Sequence, residues 1–148
     1  MTGRQRDGRI DDADYRRLLE LRTGLRRFLH WSEERASEAG LTPAQHQLLL
    51  AVRGSSDPRG PTIGDVADAL LLRHNSAVEL VARAEALGLL SRSADLGDRR
   101  IVRLRLTALG TRRLEQLAEL HLEELRRLAP SLKPIPRGLD GEADEDRT

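Results

Sequence analysis

Apolar residues recur at intervals of three and four along five stretches of the chain, and this spacing predicts five amphipathic helices. Glycine or proline stands at the end of four of them, as is common at helix ends. The first helix is too long for a small domain to cover fully, which suggests packing against a partner chain. The predicted helices lie at residues 12–38, 43–54, 63–70, 74–87 and 108–128.

Capping residues mark the predicted helix starts. Asp11 or Asp12 can cap the first helix. In TPAQ, which opens the second helix, Thr42 caps, a proline takes the first helical position and Gln45 reaches back. Thr62 caps the third helix, with Asp65 three residues later. In the fourth helix, Ser76 and Glu79 resemble a capping box inside the first turn.

Between the fourth and fifth helices, the period changes from that of a helix to that of a strand. The segment LLSRS predicts a short strand, ADLGD a turn, and IVRLRLT a second, half-buried strand. In this second strand, Val102, Leu104 and Leu106 are predicted to share one face, with Arg103 and Arg105 on the other.

Composition limits the class of protein. The chain has 148 residues, of which 39% are hydrophobic and 33% charged, so it can form one domain with a single core and tails. It has no cysteine, which excludes disulfides and thiolate zinc sites. The first residues lack the apolar core of a signal peptide, and no apolar run is long enough to span a membrane. We therefore expect a cytoplasmic protein.

Charge is more informative in its distribution than in its sum. The net charge is only +1, which argues against a protein that coats nucleic acid through bulk charge. Residues 89–107, however, contain five arginines against two aspartates, and Arg99 and Arg100 lie at the predicted turn. Two short helices followed by a hairpin with a basic tip form a winged helix-turn-helix. The second helix of such a pair enters the major groove of DNA, and the wing can reach the minor groove.

The sequence resembles the MarR family of bacterial transcriptional regulators from about residue 15 to residue 128. The resemblance is carried by LTPAQHQLLLAV, by PTIGDVADALLLRHNSAVELVARAEALGLLSR and above all by DRRIVRLRLTALG. It implies a mainly α fold with a small two-stranded β-wing, which dimerises through its N- and C-terminal helices. On this basis we divide the chain into a flexible N-terminus (1–11), a dimerisation helix (12–40), a DNA-binding lobe (41–107), a second dimerisation helix (108–129) and a disordered acidic tail (130–148).

The resemblance also implies roles for individual residues. Arg100 matches the wing arginine that enters the minor groove, Asp98 the acid that orients it, and Arg99 a phosphate contact. The other implied DNA contacts are His74, Asn75 and Ser76 at the start of the recognition helix, with Arg73 and Arg83 placed for phosphates.

Simpler interpretations remain open for several of these residues. Asn75 or Ser76 could serve only as a helix cap. Arg100 could form only a surface salt bridge with Asp98, which would add little stability. The resemblance also places Glu79 at the start of the recognition helix, although a carboxylate facing DNA is repelled by phosphate. Glu79 could accept from a cytosine or orient an arginine, and we favour the interpretation that it closes the capping box.

Phe28, Trp31 and His46 could line a pocket for a small-molecule effector, because such pockets are mostly apolar with a few polar groups. The alternative is that they belong to the dimer core. The four histidines, His30, His46, His74 and His121, are expected to be partly buried or on the surface, with no metal site. No cofactor is expected, and no pairing of nucleophile and base suggests an enzyme.

The chain departs from the family after the fifth helix, where Pro130, Pro134 and Pro136 make a final helix unlikely. We expect a homodimer that binds double-stranded DNA at a pseudo-palindromic operator, represses transcription and responds to an effector. The alternative is a helical protein-interaction module that uses a winged-helix scaffold without sequence-specific DNA binding.

Overall fold

The computed structural model describes residues 9–132, which form five α-helices and a two-stranded antiparallel sheet. The predicted fold class is confirmed. The elements are α1 (Asp12–Glu38), α2 (Pro43–Arg53), α3 (Ile63–Leu70), α4 (His74–Ala86), β1 (Leu90–Ala94), β2 (Val102–Leu106) and α5 (Ala108–Leu128), followed by a 3-10 turn (Ala129–Leu132). The predicted flexible N-terminus and acidic tail lie mostly outside the described residues.

Capping boxes start the first three helices. In each box the cap side chain accepts a hydrogen bond from the backbone N–H three residues later, and the side chain at that later position accepts one from the cap's N–H. These reciprocal bonds satisfy donors that a helix start leaves free, so local sequence is enough to define the boundary. The pairs are Asp11 with Asp14, Thr42 with Gln45 and Thr62 with Asp65.

Helix α4 begins at His74, as predicted, but its start is capped differently. Leu71 adopts a left-handed conformation with φ of 55°, and this reverses the chain between α3 and α4. Arg73 is the N-cap and makes no side-chain capping bond. Ser76 is therefore already the third helical residue, and the predicted capping box with Glu79 is wrong because such a box needs the serine at the cap itself.

The core lies between α2, α3, α4 and the sheet, and it extends to Ala36 of α1 and to Leu114 and Leu117 of α5. Its largest fully buried side chains include Leu48, Leu49, Leu89, Leu90 and Leu104. Burying each leucine contributes roughly 1.5–3 kcal/mol relative to exposure. The strands pair antiparallel from Leu90 opposite Leu106 to Ala94 opposite Val102, so the sheet is a hairpin.

A glycine allows α5 to approach this hairpin closely. Thr107 caps α5 by accepting from the N–H of Gly110 at 3.1 Å. A Cβ at Gly110 would lie 1.9 Å from the carbonyl oxygen of Leu89, so no other residue fits without movement of the backbone. This contact gives a physical reason for the glycine in the ALG segment that follows the wing.

The two terminal helices expose much of their apolar surface. The only buried residue of α1 is Ala36, whereas Leu19 is 65% exposed and Leu18 is 56% exposed. On α5, Leu114 and Leu117 are buried, but Leu120 and Leu125 are 43% and 41% exposed. Within residues 9–132, no helix has both the length and the apolar character needed to cross a bilayer.

Candidate nucleic-acid interface

The first turn of α4 presents three polar side chains to solvent. His74, Asn75 and Ser76 are all exposed, while Ala77 and Val81 behind them are buried in the lobe. Burial of one face of α4 therefore turns the predicted contact residues outward. Because Arg73 is the cap, neither Asn75 nor Ser76 is needed to cap the helix, and that simpler interpretation does not hold.

Two arginines flank this exposed turn. Arg73 and Arg83 are both exposed, and within the described residues neither forms an ion pair with a carboxylate. Glu79, one helical turn before Arg83, is exposed as well. The exposed face of α4 thus carries hydrogen-bonding groups at its start, which suit base edges. The guanidinium groups on either side suit phosphates.

At the tip of the wing, Asp98 is paired with Arg100. Its carboxylate accepts from the backbone N–H of Arg100 at 3.0 Å, from Nε at 3.2 Å and from Nη2 at 3.2 Å. These bonds from Arg100 lower the pKa of Asp98, so the carboxylate is charged at neutral pH. The Arg100 side chain is nevertheless 91% exposed, and the salt bridge orients it without covering it.

The neighbouring wing arginines divide into free and engaged groups. Arg99 is exposed and, within residues 9–132, has no acidic partner. Arg92 is paired with Glu85 at 3.1 Å, and Arg105 donates to the carbonyl of Pro58 at 3.1 Å. The positive excess that the sequence shows over residues 89–107 is therefore displayed mainly by Arg99 and Arg100 at the tip.

Arg103 is not on an open face, contrary to the prediction from strand alternation. It is 7% exposed, because the loop between α2 and α3 covers that side of β2. Its guanidinium donates to Asp95 at 3.0 Å, to Asp57 at 3.3 Å and to the carbonyl of Gly60 at 3.2 Å. The second face of β2 is therefore covered at Arg103, whereas Arg105 on the same face remains exposed.

The three residues predicted to line an effector pocket lie close together around His121 of α5. His121 was not predicted to belong to this pocket. The ring centroids of Trp31, His46 and Phe28 lie 4.9, 4.8 and 5.9 Å from that of His121. The cluster therefore joins α1, α2 and α5. The sequence signal for His121 is that it lies four positions after Leu117, on the same face of the fifth helix.

Hydrogen bonds fix the orientation of the His121 ring. Its Nδ1 lies 2.6 Å from the carbonyl oxygen of Leu117, and its Nε2 lies 2.7 Å from the hydroxyl of Ser32. Since a carbonyl only accepts, Nδ1 donates and the Ser32 hydroxyl can donate to Nε2 of the neutral ring. Burial, together with the nearby His121, lowers the pKa of His46.

No candidate metal site accompanies this cluster. Among the described residues, no group of three or more histidine, cysteine, aspartate or glutamate side chains could hold a metal ion.

A small cavity lies beside the cluster and is lined by Leu29, Ser32, Glu33, Pro43 and His46, with Gln47. Its lining combines apolar side chains with a few polar groups.

Comparison with known proteins places this fold. A model of the MarR family matches residues 39–101. No curated protein matches the sequence. AbsC, a MarR family transcriptional regulator from Streptomyces coelicolor, is 23% identical with a TM-score of 0.67, and the match covers 90% of this chain and 99% of AbsC.

Two similar structures contain nucleic acid. A mutant of MarR from E. coli, complexed with operator DNA, is 20% identical over 72% of this chain and 74% of its own, with a TM-score of 0.61. A mutant of S. aureus MepR, bound to an oligodeoxyribonucleotide, is 20% identical over 77% of this chain and 82% of its own, with a TM-score of 0.62. At these identities the matches establish a shared fold.

Helices α3 and α4 and the β1–β2 hairpin form a winged helix-turn-helix, which defines the class of fold. Within that class, the match to residues 39–101 identifies this region as a MarR-family winged helix-turn-helix. The resemblance seen in the sequence is confirmed.

Proposed function

We propose that this chain is a sequence-specific, double-stranded DNA-binding regulator that acts as a homodimer and represses transcription. The first turn of α4 would enter the major groove, and Arg100 would enter the minor groove. The observation that carries this proposal is the wing tip, where a 91% exposed arginine is held by Asp98. An exposed guanidinium that is oriented by a neighbouring carboxylate suits the negative potential of a narrow minor groove.

The similar structures support the same function. The E. coli MarR mutant is complexed with operator DNA, and the S. aureus MepR mutant is bound to an oligodeoxyribonucleotide. In our proposal His74, Asn75 and Ser76 read base edges, while Arg73, Arg83 and Arg99 contact phosphates. Asn75 is suited to adenine, because its amide can both donate and accept.

Homodimer formation is supported by the apolar surface that α1 and α5 leave open. The segment 12–40 would serve as one dimerisation helix and 108–129 as the other, with the lobe at 41–107 between them. Tyr15, Leu18 and Leu25 of α1 are each at least 48% exposed, although all are apolar or aromatic. A two-fold dimer implies a pseudo-palindromic operator with half-sites about one helical turn apart.

A small-molecule effector is proposed to bind beside Phe28, Trp31 and His46. The supporting observation is that this cluster joins α1 and α5 to α2, the first helix of the lobe. A ligand that separates these rings would change the position of the lobe relative to the dimerisation helices and thereby relieve repression.

The test is fluorescence anisotropy with the duplex immediately upstream of the gene for this protein, in a salt series, with a scrambled duplex as control. Wild type should prefer the native duplex, and its affinity should fall steeply with salt as counterions are released. Arg100→Ala should cost about 1–3 kcal/mol of binding free energy on the native duplex.

Arg53→Ala is the matched charge control. Arg53 is an exposed arginine at the end of α2, outside the proposed DNA contacts and both proposed dimerisation helices, and its removal should leave the preference for the native duplex unchanged. An Arg100→Ala variant that binds as wild type does would remove the wing from the mechanism. Failure to bind any duplex at low salt would favour the alternative of a protein-interaction module.

A further inference from the structure

We propose that Arg103 is a positioning residue that fixes the wing tip against the loop between α2 and α3, and so determines where Arg100 points. This inference rests on the proposed DNA-binding function. Arg103 itself is 7% exposed and lies too deep in the fold to be counted among the DNA contacts. Its effect on DNA binding would be transmitted through other side chains.

The guanidinium of Arg103 joins two segments that are far apart in sequence. Nε donates to Oδ1 of Asp95 at the start of the wing turn, at 3.0 Å. Nη1 donates to Oδ2 of Asp57 and to the carbonyl oxygen of Gly60, both in the α2–α3 loop, at 3.3 and 3.2 Å. The side chains of Arg103 and Asp95 are each 9% exposed, so this connection is formed inside the protein.

Asp95 continues the connection to the wing tip. Its second oxygen, Oδ2, accepts from the backbone N–H of Gly97 at 3.0 Å and of Asp98 at 3.1 Å. Burial alone would raise the pKa of Asp95, but these N–H groups and Arg103 outweigh burial and lower it. The carboxylate is therefore charged, and its bonds to Asp98 set the backbone from which Asp98 holds Arg100.

The loop end of the connection is also fixed. The backbone N–H of Leu104 donates to the carbonyl of Pro61 at 2.9 Å, and Thr62 forms an isolated bridge with Arg103. Thr62 is the cap of α3, so the wing is tied to the first residue of the helix-turn-helix. A second arginine, Arg59, lies 3.0 Å from Asp57 and lowers its pKa to about 2, which keeps that carboxylate charged.

The stability of the fold alone does not explain why charged residues occupy these buried positions. Removing charges from water is costly, and buried ion pairs can often be replaced by apolar residues without loss of stability. The arginine does supply directional bonds to both segments, which an apolar side chain of similar size cannot. Arg105, two positions further along β2, has a single bond to the loop and is exposed, so it provides a matched comparison.

The test is a double-mutant cycle between Arg103 and Arg100, measured by anisotropy on the operator duplex at fixed salt. Arg103→Met should weaken binding by about 5- to 20-fold when Arg100 is present, and by less than about 2-fold in an Arg100→Ala background. Asp95→Asn should behave as Arg103→Met does. Arg103→Lys, which keeps the charge, should restore part of the affinity, and Arg105→Met should change it little.

A second measurement needs no DNA. The chain has no cysteine, so Leu96→Cys at the fully exposed wing tip allows a single spin label. The label should become more mobile with Arg103→Met and remain unchanged with Arg105→Met, while circular dichroism confirms that each variant is folded.

The outcomes separate the two proposals. An equal loss of affinity from Arg103→Met with and without Arg100 would overturn the positioning role and leave a general structural one. Unchanged label mobility in Arg103→Met would overturn it as well. If wild type binds no duplex, the DNA-binding function fails, and the label still decides whether Arg103 holds the wing.

Discussion

His46 shows how a single side chain can respond to its surroundings. It is 7% exposed and lies against His121, whose ring centroid is 4.8 Å away. Burial disfavours the charged imidazolium, and a second histidine adds repulsion when both are protonated. The folded chain therefore binds a proton at His46 less readily than the unfolded chain does.

This difference predicts a loss of stability in acid. Because the pKa of His46 is lowered from 6.5 in the folded state, its contribution to stability is complete above that value and is lost as the pH falls below it. The free energy of unfolding, measured with urea at neutral pH and near pH 5, should fall less for His46→Gln than for wild type. His30→Gln is the control, since His30 is exposed on α1. An equal acid sensitivity in His46→Gln and wild type would contradict the prediction.

At the scale of elements, two glycines within helices have opposite roles. Gly110 lies in the first turn of α5, where an added Cβ would be 1.9 Å from the backbone of Leu89. Gly24 lies inside α1, and an added Cβ there would meet nothing within 4 Å. The same substitution should therefore have opposite effects at these two sites.

Gly110→Ala should lower the free energy of unfolding by about 2–4 kcal/mol, because α5 must move away from the hairpin. Gly24→Ala should raise it by about 0.5–1 kcal/mol, since alanine favours the helix and reduces the freedom of the unfolded chain. Chemical denaturation of both variants measures the contrast. A Gly110→Ala variant as stable as wild type would show that α5 is not held in this close contact.

The sequence predicts these elements well and their packing less well. The boxes at Thr42 and Thr62 were predicted because they depend on residues three positions apart. The start of α4 was placed correctly, but the box at Ser76 was wrong, because the left-handed Leu71 places the cap at Arg73. An αL leucine leaves no sequence signature comparable to glycine.

For the whole molecule, the exposed apolar surface of α1 and α5 predicts association. Leu18 and Leu25 lie seven positions apart on α1, so they share one helix face, and they are 56% and 48% exposed. Changing both to glutamate should convert a dimer to a monomer in sedimentation experiments. Because the two protomers of a dimer bind the two half-sites together, loss of the dimer should also lower the affinity for the operator.

Leu50→Glu provides the control for this change. Leu50 is 54% exposed but lies on α2 in the lobe, so its substitution should leave the dimer intact. A wild-type protein that sediments as a monomer at micromolar concentration would contradict the proposed homodimer.

The sequence by itself determined the helices, the hairpin and the family, because these follow from short-range signals: the hydrophobic period, the caps and the DRRIVRLRLT segment. It also predicted that Asp98 contacts Arg100, two positions away. Tertiary structure alone decided that Arg103 is buried against Asp57, which is 46 positions away, and that His121 meets Ser32, which is 89 positions away. Such contacts depend on how loops and helices pack over one another, and strand alternation cannot show whether a second layer covers the outer face.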